Sequence, residues 1–150
     1  MAKAIRVFRL SVAGMFFLLF FLSGVGKLLE PVPAALALVM VFRIPFSVAV
    51  TAVFLTSNGE ILLAMMLIFK RFRQLALSIL IPTVLVMFLT FLLYIYFSGI
   101  ILEDCGCFGG LWKRTIPEAI VEEIIFLALW IIYFVIRRPQ DKLTESYVNK

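Results

Sequence analysis

Four apolar stretches, each about as long as a bilayer is thick, decide what this chain can fold into. A membrane crossing takes about 20 apolar residues. Such runs begin near Leu10, Pro45, Leu75 and Pro117. The chain has 150 residues, 64% of them hydrophobic. A soluble core cannot use that much apolar surface, whereas lipid can. The expected fold is an all-α membrane protein, a bundle of four transmembrane helices forming a single membrane domain over residues 1–150. The expected spans are about 10–26, 45–69, 75–102 and 117–136, followed by a polar, frayed cytoplasmic tail over 139–150. No length remains for a soluble catalytic module.

Charge placement orients the bundle. Lys3, Arg6 and Arg9 precede the first span, Lys70, Arg71 and Arg73 separate the second from the third, and Arg137 and Arg138 follow the fourth. Four crossings put all three groups on one side. The other side carries Lys27, Arg43, Lys113 and Arg114, partly offset by Glu30, Glu103 and Asp104. The lysine and arginine bias predicts a multi-pass protein of the cytoplasmic (inner) membrane with both termini in the cytoplasm, facing the lipid bilayer along its sides. Short juxtamembrane basic clusters are topology signals, so nucleic-acid binding is not expected. With no histidine in the chain and only two cysteines, imidazole metal sites, haem-binding histidines and His-based triads are out. No metal and no haem are expected.

Several local signals refine this outline. The first run could be read as a signal peptide, but Leu22-Ser23-Gly24-Val25-Gly26 is a weak cleavage site with Lys27 directly after it, which favours an uncleaved helix. The small residues Ser23 to Gly26 permit close approach to a neighbouring helix. Between spans 1 and 2, Ala34 to Phe42 is apolar but too short to cross. It reads as a short helix at the interface or partly re-entrant, stopped by Arg43 and Pro45. Pro82 is expected to kink the third span. Tyr94 and Tyr96 read as part of an aromatic belt. Thr115, Pro117 and Glu118 form a helix start. Glu122 and Glu123, a turn further on, read as headgroup-level acids, with Glu118 and Glu122 sharing a face.

Two polar features stand out against the apolar background. Glu60 lies ten residues before Lys70, which places it about 15 Å deep at ~1.5 Å per residue. A carboxyl at that depth is costly and faces the bundle interior or a wet cavity. It reads either as a proton or quinone-headgroup partner or as hydrogen-bonding glue with Asn58. The second feature is Asp104-Cys105-Gly106-Cys107-Phe108-Gly109-Gly110, which holds both cysteines at the rim of the bundle. A glycine-rich loop beside acids is a poor place for inert packed thiols. A redox-active pair is expected there, with a static disulfide or separate thiols as the alternative. A disulfide needs Cα atoms about 4.4–6.8 Å apart, so the chain must bend at Gly106. Glu103 and Asp104 raise the pKa of a nearby thiol. Lys113, Arg114 and the start of the fourth helix lower it, and Cys107 is nearer to them in sequence.

Ser23-Gly24-Val25-Gly26-Lys27-Leu28, Glu60 and Cys105-Gly106-Cys107-Phe108-Gly109 together resemble the MauE (methylamine-utilisation) branch of the DoxX-like membrane proteins, across residues 10 to 136. The resemblance implies a four-helix membrane bundle tied to thiol-disulfide chemistry outside the cytoplasmic membrane, beside a thioredoxin-like or other exported thiol protein. The architecture is also similar to that of DsbB and vitamin K epoxide reductase, which pass electrons between thiols and a quinone. This chain departs from those enzymes in having one pair, spaced Cys-x-Cys. It also carries Glu122-Glu123 where many family members have Arg-Asn. The functional expectation is a thiol-disulfide redox protein using Cys105 and Cys107, with Glu60, Asn58 and Lys27 as a candidate quinone or proton site. A non-catalytic subunit or assembly factor of a larger membrane complex is the alternative.

Overall fold

A computed structural model describes residues 2–100, 104–110 and 113–148, and their side chains over 7–100, 104–109 and 113–136. Glu103 and the side chains of Lys3, Arg6, Arg137 and Arg138 lie outside the described residues. Among the described residues the regular structure is helical apart from one short extended segment. Helix α1 spans Ala2–Leu29, α2 Val32–Phe42, α3 Phe46–Ile68, α4 Lys70–Leu75, α5 Ile81–Phe97 and α6 Ile116–Val148, with strand β1 at Cys107–Gly110. Four segments are long and apolar enough to cross a membrane: Val7–Leu29, Phe46–Ile68, Lys70–Phe97 and Ile116–Ile136. The protein is thus a multi-pass membrane bundle with a shorter apolar helix between its first two spans.

Each boundary has a local cause. Pro33 sits in the first turn of α2, where its missing N–H costs nothing. Arg43 ends that helix in a left-handed conformation at φ 53°, and its N–H bonds the Val39 carbonyl. Pro45 then opens α3. Thr115 precedes α6, and its backbone N–H donates to the Glu118 carboxylate at 3.0 Å, half of a capping-box arrangement.

Pro82 acts differently from the simple kink expected of it. The third span is α4 and α5 joined by a π-helical turn over Ala76–Leu80. There the Ile81 N–H bonds the carbonyl of Ala76, five residues back. The same register would give the Leu77 carbonyl to residue 82, but proline has no N–H to offer. The Trp130 indole of α6 donates to that carbonyl instead, at 2.6 Å. The wide turn makes room for the proline ring, and a neighbouring helix supplies the missing donor.

The end of the third span and the tail differ from expectation. The third helix ends at Phe97 rather than near Leu102, and residues 101–103 lie outside the described residues. The fourth span matches its expected limits at Ile116–Ile136, but α6 itself continues to Val148 through the tail expected to be frayed. A single proline removes one backbone bond, which a long helix can absorb.

The main core lies toward the end where α3 meets α4. Phe16 and Phe20 of α1 pack there against Leu63 and Leu67 of α3, Leu77 and Leu85 of the third span, and Tyr133 of α6. Toward the opposite end α1 and α3 cross closely. A Cβ on Gly24 would come within 2.8 Å of the Ser57 carbonyl oxygen. That contact brings Lys27 beside Glu60.

Candidate functional site

The cysteine loop is folded into the bundle rather than displayed at its rim. Cys105 and Cys107 are only 5% and 6% exposed. Four constraints hold the loop in place. The Asp104 carboxylate accepts from the Gly106 N–H at 3.1 Å and the Cys105 N–H donates to the Arg114 carbonyl at 3.1 Å. Gly106 takes φ +66°, and a Cβ there would lie 2.6 Å from the Ala34 N and Cα atoms of α2. Gly109, at φ +61°, presses against the Gly26 carbonyl of α1. Only glycine meets both the backbone and the space requirement at 106. The bend brings the Cys105 and Cys107 Cα atoms to 5.4 Å and pairs the residues as a disulfide, inside the window such a bond requires.

A buried polar chain leads from this pair into the bundle. The Ser23 hydroxyl donates to the Cys107 carbonyl at 2.8 Å. Lys27, one turn along α1, donates to the Ser23 oxygen at 3.1 Å and forms an ion pair with the Glu60 carboxylate. The Lys27 and Glu60 side chains are 7% and 14% exposed. Lys27 thus has two of its three donors occupied and lies 5.6 Å from the Phe88 ring centroid. The second carboxylate oxygen of Glu60 is buried and has no hydrogen-bond partner among the described residues.

Two cavities meet at this chain. The larger, about 530 Å³, lies between α2, α3 and α5. Lys27, Glu60, Cys105 and Cys107 are in its wall, and the rest of the lining is mostly apolar, including Val53, Leu63, Phe88 and Phe91. Its size and its few convergent polar groups are those of a small-molecule site. The smaller, about 50 Å³, lies on the α6 side and is lined by Ser23, Glu60, Cys107, Arg114, Glu122 and Glu123 among others. Arg114 forms an ion pair with Glu122, and its guanidinium carbon lies 5.0 Å from the Phe108 ring centroid.

The structure therefore brings Cys105, Cys107, Lys27 and Glu60 together and leaves Asn58 out. Asn58 is exposed on the outer face of α3, and its amide donates to the Phe54 carbonyl of its own helix at 2.7 Å. It is neither a ligand of the cavity nor glue for Glu60. Successive helical residues differ by about 100° in direction, so a residue two places from an inward carboxyl points away from it.

Sequence reasoning missed two members of the site. Ser23 was read only as a small residue, although its i, i+4 spacing to Lys27 puts both on one face. Glu123 was read as a headgroup-level acid, yet it is 9% exposed. Its signal was the stripe Ile116, Ala119 and Glu123, whose spacing of three and four marks the inward face of α6.

A quinone is the cofactor that the sequence resemblance implies, and the larger cavity fits one. The walls suit an apolar ring and tail. Lys27 can donate to a quinone carbonyl, and the unpartnered Glu60 oxygen can accept from a quinol hydroxyl.

The family model described as Methylamine utilisation protein MauE matches residues 4–136. No curated protein and no solved structure matches the chain.

Proposed function

The chain belongs to the MauE family, and from that premise we propose that it is an integral membrane thiol-disulfide redox protein. Cys105 and Cys107 exchange electrons with a thioredoxin-like or other thiol protein on the extracytoplasmic side. The lysine and arginine distribution supports a cytoplasmic-membrane location with both termini inside and the cysteine loop outside. The observation that carries the reading is the position of the pair. It forms part of the wall of a largely apolar 530 Å³ cavity that also contains the Lys27–Glu60 ion pair.

A quinone bound in that cavity supplies a two-electron, two-proton acceptor for the dithiol. Lys27 would orient its carbonyl end, and Glu60 would supply a proton to the oxygen that becomes a hydroxyl. The apolar lining excludes water from the exchange. Both sulfur-bearing residues are buried and the first turn of α2 packs on Gly106, so a protein partner reaches the pair only if the packing around the loop opens.

The burial of both sulfurs also favours a second reading, in which the pair is a structural clip in a non-catalytic subunit. One experiment separates the two. Cys105→Ser and Cys107→Ser are introduced singly, and exported thiol proteins are trapped by acid quenching and alkylation. The redox reading expects one single variant to accumulate a mixed disulfide with its partner and both to leave that partner's thiols in the wrong oxidation state. Unchanged partner oxidation in both variants would establish the clip instead.

A further inference from the structure

The small chamber behind Cys107 has a charge balance that the redox reading does not use. Of its charged neighbours, Lys27 from α1 is paired with Glu60 from α3, and Arg114 from the loop before α6 is paired with Glu122. The third span contributes only apolar groups, Val84, Leu85 and Phe88. One acid is left over. Glu123 is nine-tenths buried and lines the chamber. Among the described residues it makes no hydrogen bond or ion pair of its own. A lone carboxylate in such a place is costly, and a proton removes the cost. The chamber's 50 Å³ holds about three waters at roughly 15 Å³ each. Of the two cysteines, only Cys107 is among its lining residues.

We propose that this chamber is a proton store for the disulfide, in which Glu123 gives a proton to the Cys107 sulfur when the pair opens and takes it back when the pair closes. The assignment deepens the redox reading and rests on it. It also makes the two cysteines unequal. A partner thiolate attacks the Cys105 sulfur, which faces only the larger cavity. The Cys105–Cys107 bond breaks, a Cys105–partner mixed disulfide forms, and Cys107 leaves with the electron pair as a thiolate. Glu123 passes its proton across the chamber to that thiolate and becomes a carboxylate. The partner's second thiol then attacks the mixed disulfide and releases the partner as a disulfide and Cys105 as a thiolate. The two protons shed by the partner dithiol on ionising restore Glu123 and neutralise Cys105. Two electrons and two protons have moved from the partner to the pair, and Glu123 ends as it began. Glu122, which lines the same chamber and is about one-third exposed, is the carboxylate that carries the proton to and from the surface.

The test uses the full chain in lipid nanodiscs, with dithiothreitol as the dithiol. Reduction of the Cys105–Cys107 pair is followed by alkylation mass shift at constant thiolate concentration across a range of pH. General acid catalysis of this kind is worth about 100-fold or more, so Glu123→Gln is expected to slow reduction by about 100-fold and to abolish its dependence on pH. Glu123→Asp should keep the pH dependence with a smaller loss of rate. A second measurement needs no variant. In time-resolved infrared spectra of the wild-type reaction, a carboxylic-acid C=O band should disappear while the mixed disulfide exists and return as it resolves, and the Glu123→Gln spectrum should lack that band. Equal rates and equal pH profiles in wild type and Glu123→Gln, or a wild-type spectrum without the band, overturn the proton assignment and leave the redox reading standing. A wild-type pair inert to the dithiol overturns both.

Discussion

The two halves of the bundle are built by different rules. In the half nearest α4, Phe16, Phe20, Leu77 and Tyr133 fill the space between helices. The π turn before Pro82 is repaired by an indole hydrogen bond. In the half nearest the cysteine loop, five ionisable side chains, Lys27, Glu60, Arg114, Glu122 and Glu123, surround two cavities. Two buried carboxylate oxygens there, one of Glu60 and one of Asp104, have no hydrogen-bond partner among the described residues. Lipid gives helices little hydrophobic reason to associate, so packing and polar contacts hold the bundle together. A half that omits close packing and buries charge gives up stability, and ionisable groups inside a membrane bundle mark functional sites. The contrast supports the proposed placing of the site in the cavity half.

The largest effect is expected where that contrast is sharpest. Lys27→Met removes one member of a buried ion pair and leaves Glu60 uncompensated beside Glu123. Breaking such a pair costs about 3–5 kcal/mol, read as a loss of unfolding free energy in mixed detergent micelles. Lys27→Met combined with Glu60→Leu should recover most of that loss. A double variant as unstable as the single one would mean that the pair itself is a net stabiliser.

A smaller effect is expected in the packed half. Trp130→Phe keeps the ring and removes the indole N–H, so the Leu77 carbonyl loses its donor. A buried orphan costs about 1–3 kcal/mol, and polar contacts within membranes fall at the low end, so about 1 kcal/mol is expected by the same unfolding assay. The oxidation state of the cysteine pair should not change. A changed thiol state would show that the two halves are coupled.

The smallest effect tests the boundary of the site. Asn58→Leu should alter stability by less than about 0.5 kcal/mol, as surface substitutions do, and should leave thiol exchange unchanged. If exchange falls more than a few-fold, Asn58 belongs to the site after all.

Hydropathy and charge alone fix the four spans, because a bilayer demands length and apolarity from each segment separately. The same holds for the short helix between spans 1 and 2, which is too short to cross and is bounded by Pro33 at its start and Arg43 and Pro45 after it. The vicinal pair was visible for a local reason too, since Gly106 lets a three-residue segment close on itself. Contacts between helices are a different matter. That Lys27 meets Glu60, that Ser23 ties Cys107 to α1, that Asn58 faces outward and that Glu123 closes a chamber all depend on how α1, α3 and α6 are rotated about their own axes. Rotation is set by mutual packing, such as the close approach at Gly24, and no single segment carries that information. The sequence by itself determined the membrane, the number of spans and the presence of a thiol pair. Tertiary structure decided which charges are neighbours and that the pair is buried, because electrostatic partnership depends on distance through space and not along the chain.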